Sequence, residues 1–277
     1  MQKLMISSTI TLNNGVKMPL LGLGTYQVSN VKIIEDAVAH ALKVGYRQID
    51  TARMYLNEKK VGKGVKKSGI PREDVFITTK VWQTDYGAKK ARKSVESSLK
   101  ALDMKYVDLL LIHWPDATPE ILLETWQEFE KIYKEEKCRA IGVSNFKINH
   151  LKHFLENSST IPTINQVEFH PFLYREELLK FCRSNKIFLE AYSPLTQGKK
   201  LNDPNLIEYA KKYSKSVAQI LIRWCLQHEV VAIPKSSNPG RIEENANIYD
   251  FEISSDDMEK LDTLNKNQRV AWYPIGY

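Results

Sequence analysis

Four side chains with reactive groups lie at or just behind short apolar runs in the first half of the chain. Asp50, Lys80 and His113 each end such a run, and Tyr55 follows soon after Asp50. A carboxylate, an ammonium, an imidazole and a phenol are groups that enzymes use to transfer protons and to stabilise developing charge. If the runs are parallel strands of one barrel, their C-terminal ends meet at one rim, where catalytic groups gather. The pattern therefore predicts one site built from these residues.

The elements that must position these side chains alternate along the chain. Strands are predicted at residues 20–25, 47–50, 75–80, 106–113, 139–144, 164–169, 187–192 and 230–234. Apolar spacing predicts helices at 31–44, 57–67, 88–101 and 119–136. Residues 9–12 and 16–18 flank Asn13-Asn14-Gly15, which favours a hairpin because Asn-Gly readily takes positive φ. The fold expected is a (β/α)8 TIM barrel with an N-terminal β-hairpin.

An open doubly wound sheet is the main alternative fold, because it also alternates strands with helices. It needs a glycine-rich phosphate turn after its first strand. Gly22-Leu23-Gly24 is the one candidate, and Gln27 stands where the third glycine should be. Gly62-Lys63-Gly64 lacks the upstream glycine and the Ser or Thr of a P-loop. Both nucleotide-binding motifs are therefore rejected, and the barrel is favoured.

Composition limits the class of protein. The chain has 277 residues, of which 43% are hydrophobic and 26% charged, and no linker-like tract, so residues 1–277 are expected to form a single domain. The net charge of +7 comes from Lys and Arg dispersed among acidic residues. We expect a solvated basic surface and no nucleic-acid partner, with a focused site for an anionic ligand as the alternative.

Location and redox state follow from what the chain lacks. No apolar run reaches the roughly 20 residues that span a bilayer, and no signal-peptide core is found, so a cytoplasmic protein with no membrane partner is expected. Cys138, Cys182 and Cys225 lie far apart, an odd number without a C-x-x-C pair. They are expected to be unpaired thiols, and no metal site is expected.

Polar or aromatic residues follow every predicted strand. They are Gly24-Thr25, Asp50, Lys80-Val81-Trp82, His113-Trp114, Ser144-Asn145, Gln166, Tyr192-Ser193 and Lys235-Ser236. Any one of these alone would more simply be structural; Ser144-Asn145, for example, would more often be a helix N-cap. Eight strands that end in such groups are improbable by chance, and they indicate a functional rim.

Several spaced motifs resemble the signatures of the aldo-keto reductase family, in family order over nearly the whole chain. They are Asp50-Thr51-Ala52 with Tyr55 and Asn57-Glu58, Thr79-Lys80-Val81-Trp82, Leu111-Ile112-His113-Trp114-Pro115, Gly142-Val143-Ser144-Asn145-Phe146, Asn165-Gln166-Val167-Glu168, and Ile233-Pro234-Lys235-Ser236 with Arg241 and Glu244-Asn245. The resemblance implies an NADPH-dependent carbonyl reductase without a Rossmann domain, similar to the compact microbial-type members. A small-molecule carbonyl substrate and a monomer are implied as well.

The resemblance implies a catalytic tetrad of Asp50, Tyr55, Lys80 and His113. Tyr55 is expected to give a proton to the carbonyl oxygen as hydride arrives. Lys80 is expected to make that phenol more acidic than a free tyrosine, and Asp50 to hold Lys80 charged and in place. His113, as a neutral imidazole, is expected to orient the carbonyl.

Binding roles are implied by the same resemblance. The residues expected to contact NADPH are Gly24, Thr25, Asp50, Ser144, Asn145, Gln166, Tyr192, Ser193, Leu195, Lys235, Ser236, Arg241, Glu244 and Asn245. Within this set, Ser144, Asn145 and Gln166 suit the carboxamide and Tyr192 stacks on the nicotinamide. Residues 193–198 cover the pyrophosphate, Lys235, Ser236 and Arg241 hold the 2′-phosphate, and Glu244 and Asn245 face the adenine. The residues expected at the substrate are Tyr26, Trp82, His113, Trp114, Trp272 and Tyr273.

Two other functions remain open from the residues alone. A Schiff-base aldolase could use a strand-end lysine such as Lys80, although a paired Asp50 argues against a neutral amine. A subunit that binds NADPH without turnover is the second alternative. The physiological substrate is open among 2-oxoaldehydes, sugar aldehydes, keto-sugar acids, lipid-derived carbonyls and prostaglandin precursors, and Leu56 departs from the small or polar residue common after the catalytic tyrosine.

Overall fold

The computed structural model describes residues 4–27 and 31–272, and its centre is a sheet of eight parallel strands. A hairpin of β1 (Thr9–Thr11) and β2 (Lys17–Pro19) precedes this sheet, as predicted. The parallel strands are β3 (Leu23–Gly24), β4 (Gln48–Asp50), β5 (Phe76–Val81), β6 (Val107–Ile112), β7 (Cys138–Ser144), β8 (Ile164–Glu168), β9 (Phe188–Tyr192) and β10 (Val231–Ala232). Each strand pairs with the next one along the chain.

Pairing between the first and last of these strands closes the sheet. Leu21 forms a parallel bridge with Ala232, and Gly24 forms one with Lys235. The amide of Gly24 donates to the Pro234 carbonyl oxygen at 3.1 Å. An open doubly wound sheet leaves its edge strands apart, so this seam excludes that alternative and confirms the (β/α)8 barrel.

The glycines that resemble a phosphate turn belong to this seam. A Cβ atom on Gly22 would lie 2.8 Å from the Gln48 side chain, and one on Gly24 would lie 2.9 Å from the Ile233 carbonyl oxygen. Neither position has room for a methyl group. The two glycines therefore let neighbouring strands approach one another, and their spacing is a packing feature of the barrel.

Helices connect the strands and cover the outside of the barrel. They are α1 (Val31–Val44), α2 (Glu58–Ser68), α3 (Ala88–Leu102), α4 (Pro119–Lys134), α5 (Ile148–Asn157), α6 (Glu176–Ser184), α7 (Pro204–Lys212), α8 (Val217–Gln227), α9 (Pro239–Ala246) and α10 (Ser255–Asp262). The predicted helix 119–136 ends early because Glu136 has a φ of 58° and leaves the helix. The first and last barrel strands are also shorter than the apolar runs that predicted them.

Two neighbouring strands of the barrel, β5 and β6, are buried on both faces. Every residue of β5 and β6 is buried, which explains why their sequences read as continuous apolar runs. The charged residues within these two strands, Lys80 and Asp108, each pair with a residue of opposite charge. Asp108, near the start of β6, accepts hydrogen bonds from Arg72 at 2.8 Å and Arg139 at 2.9 Å. Since Asp108 lies near the end of the barrel opposite the site, this pairing stabilises the fold.

The three cysteines are buried and unpaired, as predicted. Burial raises the pKa of the Cys138 and Cys182 thiols to about 12, so neither is a reactive thiolate near neutral pH. Within the part of the chain that the structure describes, no helix is long and apolar enough to cross a membrane.

Candidate active site

The four residues of the predicted tetrad meet at the C-terminal rim of the barrel. Lys80 Nζ donates to Asp50 Oδ1 at 2.7 Å and to the Thr51 carbonyl oxygen at 2.9 Å. The same nitrogen lies 3.3 Å from the Tyr55 hydroxyl. The rings of Tyr55 and His113 stand edge to face with their centroids 5.6 Å apart. Three strands and one turn thus bring four ionisable groups into contact range.

Local structure after β4 explains the position of Tyr55. A single 3-10 turn, Arg53–Tyr55, follows the strand, and Leu56 ends it with a φ of 56°. Asn57 holds the next residues in place, since its Oδ1 accepts from Thr51 Oγ1 at 2.6 Å and its Nδ2 donates to the Thr25 carbonyl oxygen at 3.0 Å. The tyrosine is therefore fixed by short-range backbone geometry and by two side-chain bonds.

These side chains border one cavity of about 650 Å³. Its wall beside the tetrad is aromatic. Tyr26 packs against Tyr55, and Trp82 packs edge to face against His113, each pair with ring centroids 4.9 Å apart. An apolar wall around a few polar groups is typical of a small-molecule site.

The end of the described chain brings a further ring to this cavity. Glu168, fully buried at the end of β8, accepts hydrogen bonds from the amides of Val270 at 2.6 Å and Ala271 at 3.1 Å. Trp272 follows directly and meets Trp114 edge to face, with centroids 6.3 Å apart. The tail is thus held by a carboxylate whose place on β8 fixes where Trp272 stands. Tyr273, also predicted for this wall, lies outside the described residues.

The protonation of Tyr55 differs from the expectation. Burial, followed by the nearby Asp50 carboxylate, raises the pKa of Tyr55 well above 10. The prediction that Lys80 makes this phenol more acidic than free tyrosine is therefore wrong. Desolvation of the phenolate outweighs its attraction to an ammonium that is already paired with a carboxylate. Tyr55 carries its proton throughout the neutral range.

His113 is a neutral imidazole, as predicted. Burial, and then the positive charge of Lys80, lower the pKa of His113 well below 6.5. Its Nδ1 is buried and has no hydrogen-bond partner among residues 4–27 and 31–272, so no contact there fixes the tautomer. A neutral ring can donate one hydrogen bond to a carbonyl oxygen in the cavity.

Amide and hydroxyl groups form a second cluster at the rim. Tyr192 OH donates to Asn145 Oδ1 at 2.8 Å, and Asn145 Nδ2 donates to the His113 carbonyl oxygen at 3.1 Å. Ser144 Oγ donates to the Gln166 carbonyl oxygen at 2.8 Å. These bonds tie four neighbouring segments of the rim together.

The alternative interpretation of Ser144-Asn145 as a helix N-cap is wrong. Helix α5 begins at Ile148 and its N-cap position is Lys147. Asn145 takes a φ of 65°, a conformation that asparagine tolerates better than most residues. Ser144 and Asn145 therefore form hydrogen bonds within the rim and do not cap α5.

The far end of the cavity is basic. Lys235 and Arg241 both line it and are exposed, and neither forms an ion pair with a carboxylate in the described part of the chain. Helix α9 begins beside them, where Asn238 Oδ1 accepts the Arg241 amide at 3.0 Å. Ser236, Glu244 and Asn245 line the same end. Two cations at a helix N-terminus attract an anionic group.

The segment between β9 and α7, which includes residues 193–198, has an irregular backbone. Positive φ values occur at Ser193, Thr196, Gln197 and Gly198. Ser193 and Leu195 line the cavity. Such a backbone is costly for residues other than glycine, and strain of this kind is found in segments that hold ligands.

The cavity brings together nearly all of the predicted site residues. It is lined by Gly24, Tyr26, Asp50, Tyr55, Trp82, His113, Trp114, Ser144, Asn145, Gln166, Tyr192, Ser193, Leu195, Lys235, Ser236, Arg241, Glu244, Asn245 and Trp272. Two of the predicted residues that the structure describes do not line it. Lys80 is fully buried beneath it, and Thr25 is also buried and turns its hydroxyl to the Asp50 carbonyl oxygen at 2.9 Å. The structure therefore does not place the Thr25 side chain at a ligand.

Comparison with known proteins decides the family. The model of the Aldo/keto reductase family matches residues 20–266. The chain belongs to the aldo/keto reductase family. It is 49% identical to the glyoxal reductase of Bacillus subtilis over 97% of each protein.

Solved structures agree with this assignment. An aldo-keto reductase from a Medee basin deep-sea metagenome library is 41% identical, with a TM-score of 0.93 over 98% of this chain and 99% of the other. A Bombyx mori aldo-keto reductase solved in complex with NADP is 35% identical, with a TM-score of 0.90 over 95% of this chain and 94% of the other. The present aldo/keto reductase is therefore an oxidoreductase enzyme.

Sequence reasoning missed several residues of this reductase's site. Met54 lines the cavity, as does the start of α8 from Ser216 to Ala218. Ser216 and Gln219 form a capping box, a signature that marks the helix start but not its place at the rim. Glu190 was also missed. It is a fully buried carboxyl on β9 beneath the cavity, and an acidic residue inside an apolar strand was the available signal.

Proposed function

We propose that this reductase reduces small aldehydes and ketones to alcohols, with NADPH as the hydride source and Tyr55 as the proton donor. The observation that supports it best is the convergence of a protonated Tyr55 and a neutral His113 on one cavity. The other end of that cavity carries the cations Lys235 and Arg241, which form no ion pair within residues 4–27 and 31–272. One end suits a carbonyl, and the other suits an anionic cofactor.

Proton transfer from Tyr55 matches the charge that develops on the carbonyl oxygen. When hydride reaches the carbonyl carbon, the oxygen becomes an alkoxide, a much stronger base than a phenolate, so it takes up a proton from a phenol. A phenol with a raised pKa keeps its proton until that charge appears and then gives it up. His113 donates a hydrogen bond to the same oxygen and orients it. Bound NADPH would supply the hydride.

Lys80 and Asp50 act on the phenolate that remains. The ammonium lies 3.3 Å from the Tyr55 hydroxyl and is already oriented by Asp50 and the Thr51 carbonyl oxygen. A preorganised positive charge stabilises the phenolate as it forms without any reorganisation of water. This placement supports a transition-state role even though the resting phenol is a weak acid.

Preference for NADPH over NADH is supported by the basic end of the cavity. A guanidinium can make paired, charge-assisted hydrogen bonds to a phosphate dianion, and the N-terminus of α9 adds its dipole. NADH lacks the 2′-phosphate that would use Lys235, Ser236 and Arg241. The Bombyx mori relative was solved with NADP, which agrees with this choice.

Small aldehydes, including 2-oxoaldehydes, are the proposed substrates. The aromatic wall of Tyr26, Trp82 and Trp114 accepts an apolar group beside the carbonyl and does not fix one shape. The Bacillus subtilis relative is named a glyoxal reductase, which supports the same class. Broad tolerance with modest discrimination is expected of a site with few polar specificity contacts.

Aldehyde-dependent loss of NADPH absorbance tests the proposal. Wild-type protein should consume NADPH with a panel of aldehydes, and Tyr55→Phe should lower kcat by about 100-fold to 10,000-fold while NADPH still binds. A fully active Tyr55→Phe variant would remove Tyr55 from the mechanism. Absence of turnover with every aldehyde, despite NADPH binding, would favour the non-catalytic NADPH-binding subunit.

The cofactor preference has its own test. Arg241→Met should raise the Kd for NADPH by roughly 10-fold to 100-fold, the range for charge-assisted hydrogen bonds, and leave NADH binding nearly unchanged. Lys211→Met, which removes an exposed cation from α7, serves as the matched control and should alter neither. Equal weakening of both cofactors by Arg241→Met would contradict the phosphate contact.

The Schiff-base aldolase is disfavoured by the position of Lys80. Its amine is fully buried, makes three hydrogen bonds and does not line the cavity. A nucleophilic amine must be neutral and must reach the substrate. Borohydride treatment with an aldehyde and without NADPH should therefore leave the protein unmodified at Lys80.

A further inference from the structure

A second carboxyl group lies in the barrel directly beneath the tetrad. Glu190 belongs to β9 and is completely buried. Its Oε2 accepts a hydrogen bond from Gln166 Nε2 at 2.6 Å, and its Oε1 accepts one from Gln48 Nε2. The parallel register of β8 and β9 pairs Gln166 directly with Glu190, so the sheet itself sets the first contact. None of the catalytic roles described above uses this carboxyl.

The Gln166 amide is held from two sides. Its Nε2 donates to Asp50 Oδ2 at 2.8 Å and to Glu190 Oε2 at 2.6 Å. A primary amide has two N–H donors, and both are committed to carboxyl oxygens. A flip of the amide would lose both of these hydrogen bonds and set its carbonyl oxygen against the Asp50 carboxylate, so its orientation is fixed. The carbonyl oxygen Oε1 is then the only polar atom of that side chain left for the cavity that Gln166 lines.

We infer that Glu190 is a positioning residue, which orients the Gln166 amide so that its carbonyl oxygen accepts a hydrogen bond from the carboxamide N–H of the nicotinamide. This inference rests on the proposed function, since it needs NADPH in the cavity. Glu190 itself touches neither cofactor nor substrate. It acts through Gln166, and the two carboxyls on either side of that amide make one preorganised unit.

The charge of this unit depends on pH. Burial, and then the Asp50 carboxylate, raise the pKa of Glu190 to about 8. Below that pH the buried group is neutral, and the Lys80 ammonium balances Asp50 alone. The groups that face Glu190 are Gln48 and Asp50 from β4, Lys80 from β5, Gln166 from β8 and Tyr55 from the turn after β4. The two residues of β10 that pack beside it are apolar.

Ionisation of Glu190 would act on Tyr55. A negative charge on Glu190 raises the pKa of Tyr55 further, as the Asp50 carboxylate already does. The phenol then becomes a poorer proton donor. A decline of kcat above about pH 8 is therefore expected in the wild-type enzyme, and it should be absent when residue 190 cannot ionise.

Two substitutions of Glu190 separate these effects. Glu190→Leu keeps the volume but leaves one Gln166 N–H without an acceptor, so the Kd for NADPH, measured by quenching of protein fluorescence, should rise roughly tenfold or more. Glu190→Gln restores an acceptor and should bring the Kd back to within about threefold of wild type. The alkaline decline of kcat should disappear in Glu190→Gln.

A matched control removes another buried glutamate that is far from the site. Glu130 on α4 is 8% exposed and accepts hydrogen bonds from Ser159 Oγ and the Thr160 amide. Glu130→Leu should destabilise the protein without changing the Kd for NADPH. If Glu130→Leu and Glu190→Leu raise the Kd for NADPH equally, the weaker binding is due to a general loss of stability and the positioning role of Glu190 is overturned.

The outcomes distinguish this inference from the proposed function. If wild-type protein does not bind NADPH, the proposed function fails and the role of Glu190 fails with it. If wild type binds NADPH but Glu190→Leu binds it equally well, the positioning role alone is overturned. Should Glu190→Leu fail to fold, Glu190→Met is measured in its place, because it also leaves one Gln166 N–H without an acceptor, and NADPH binding equal to wild type would overturn the assignment.

Discussion

Removal of the Lys80 ammonium is the sharpest test of the buried charge network. Lys80→Met replaces the side chain by one of similar length that cannot donate a hydrogen bond. In the wild type the ammonium is fully buried and bonds to Asp50 Oδ1, the Thr51 carbonyl oxygen and the Tyr55 hydroxyl. The substitution leaves the Asp50 charge inside the barrel, with the Gln166 amide as its remaining partner.

The expected loss of stability is large. Removal of one partner from a buried ion pair costs about 3–5 kcal/mol, because the other charge stays in a poorly solvated place. Screening by water does not reduce this value, since both side chains are less than a twentieth exposed. For a chain of this size, that loss lowers Tm by about 6–20 °C.

Urea unfolding followed by tryptophan fluorescence measures the effect, with the double variant Asp50→Asn/Lys80→Met as its control. The double variant has no isolated charge, so most of the lost stability should return. The coupling between the two positions is read from the cycle of single and double variants. A Lys80→Met protein within about 1 kcal/mol of wild type would refute the reasoning, as would single-variant losses that simply add in the double variant.

Three further predictions follow from packing, pH and exposure. Gly62→Ala should lower the free energy of unfolding, measured with urea, by about 2–3 kcal/mol, because its Cβ would lie 2.1 Å from the Leu102 carbonyl oxygen. The control Gly240→Ala in α9 should leave that free energy almost unchanged. The pKa of Glu190 rises from 4.5 to about 8 on folding, so between these values the unfolded chain loses a proton that the folded protein keeps. The Tm of wild type should therefore fall relative to that of Glu190→Gln as the pH rises from 5 to 8, and a Tm difference that stays constant over this range would contradict the prediction. Trp272 is 59% exposed, so Trp272→Ala should change the free energy of unfolding by less than about 0.5 kcal/mol. The same variant should lower kcat/KM for aromatic aldehydes relative to kcat/KM for glyoxal. An unchanged ratio of these two values would remove Trp272 from the substrate wall.

The local elements were predictable because their signals are local. Apolar runs of strand length alternate with stretches of helical spacing, and this period follows from backbone geometry alone. Parallel strands that share one direction must deliver their C-terminal residues to one rim. Asp50, Lys80 and His113 could therefore be assigned to a common site before any contact was known.

Electrostatics at the site was not predictable from residue types. The pairing of Lys80 with Asp50 was expected, but the predicted direction of the pKa shift of Tyr55 was wrong, because the pKa of a phenol reflects its burial together with every charge around it. Glu190 contributes to that sum from a strand far along the chain. Nothing in the sequence showed which groups Glu190 would meet inside the barrel.

The sequence by itself determined which groups reach the rim, since strand period and chain direction are properties of each segment. The tertiary structure alone decided which of those groups touch. Val270 and Glu168 meet across 102 residues, and Gln166 lies between two acids because the closed sheet puts β4, β8 and β9 around one interior. Distances and burial arise only when the barrel closes, and both hydrogen bonding and proton affinity depend on them.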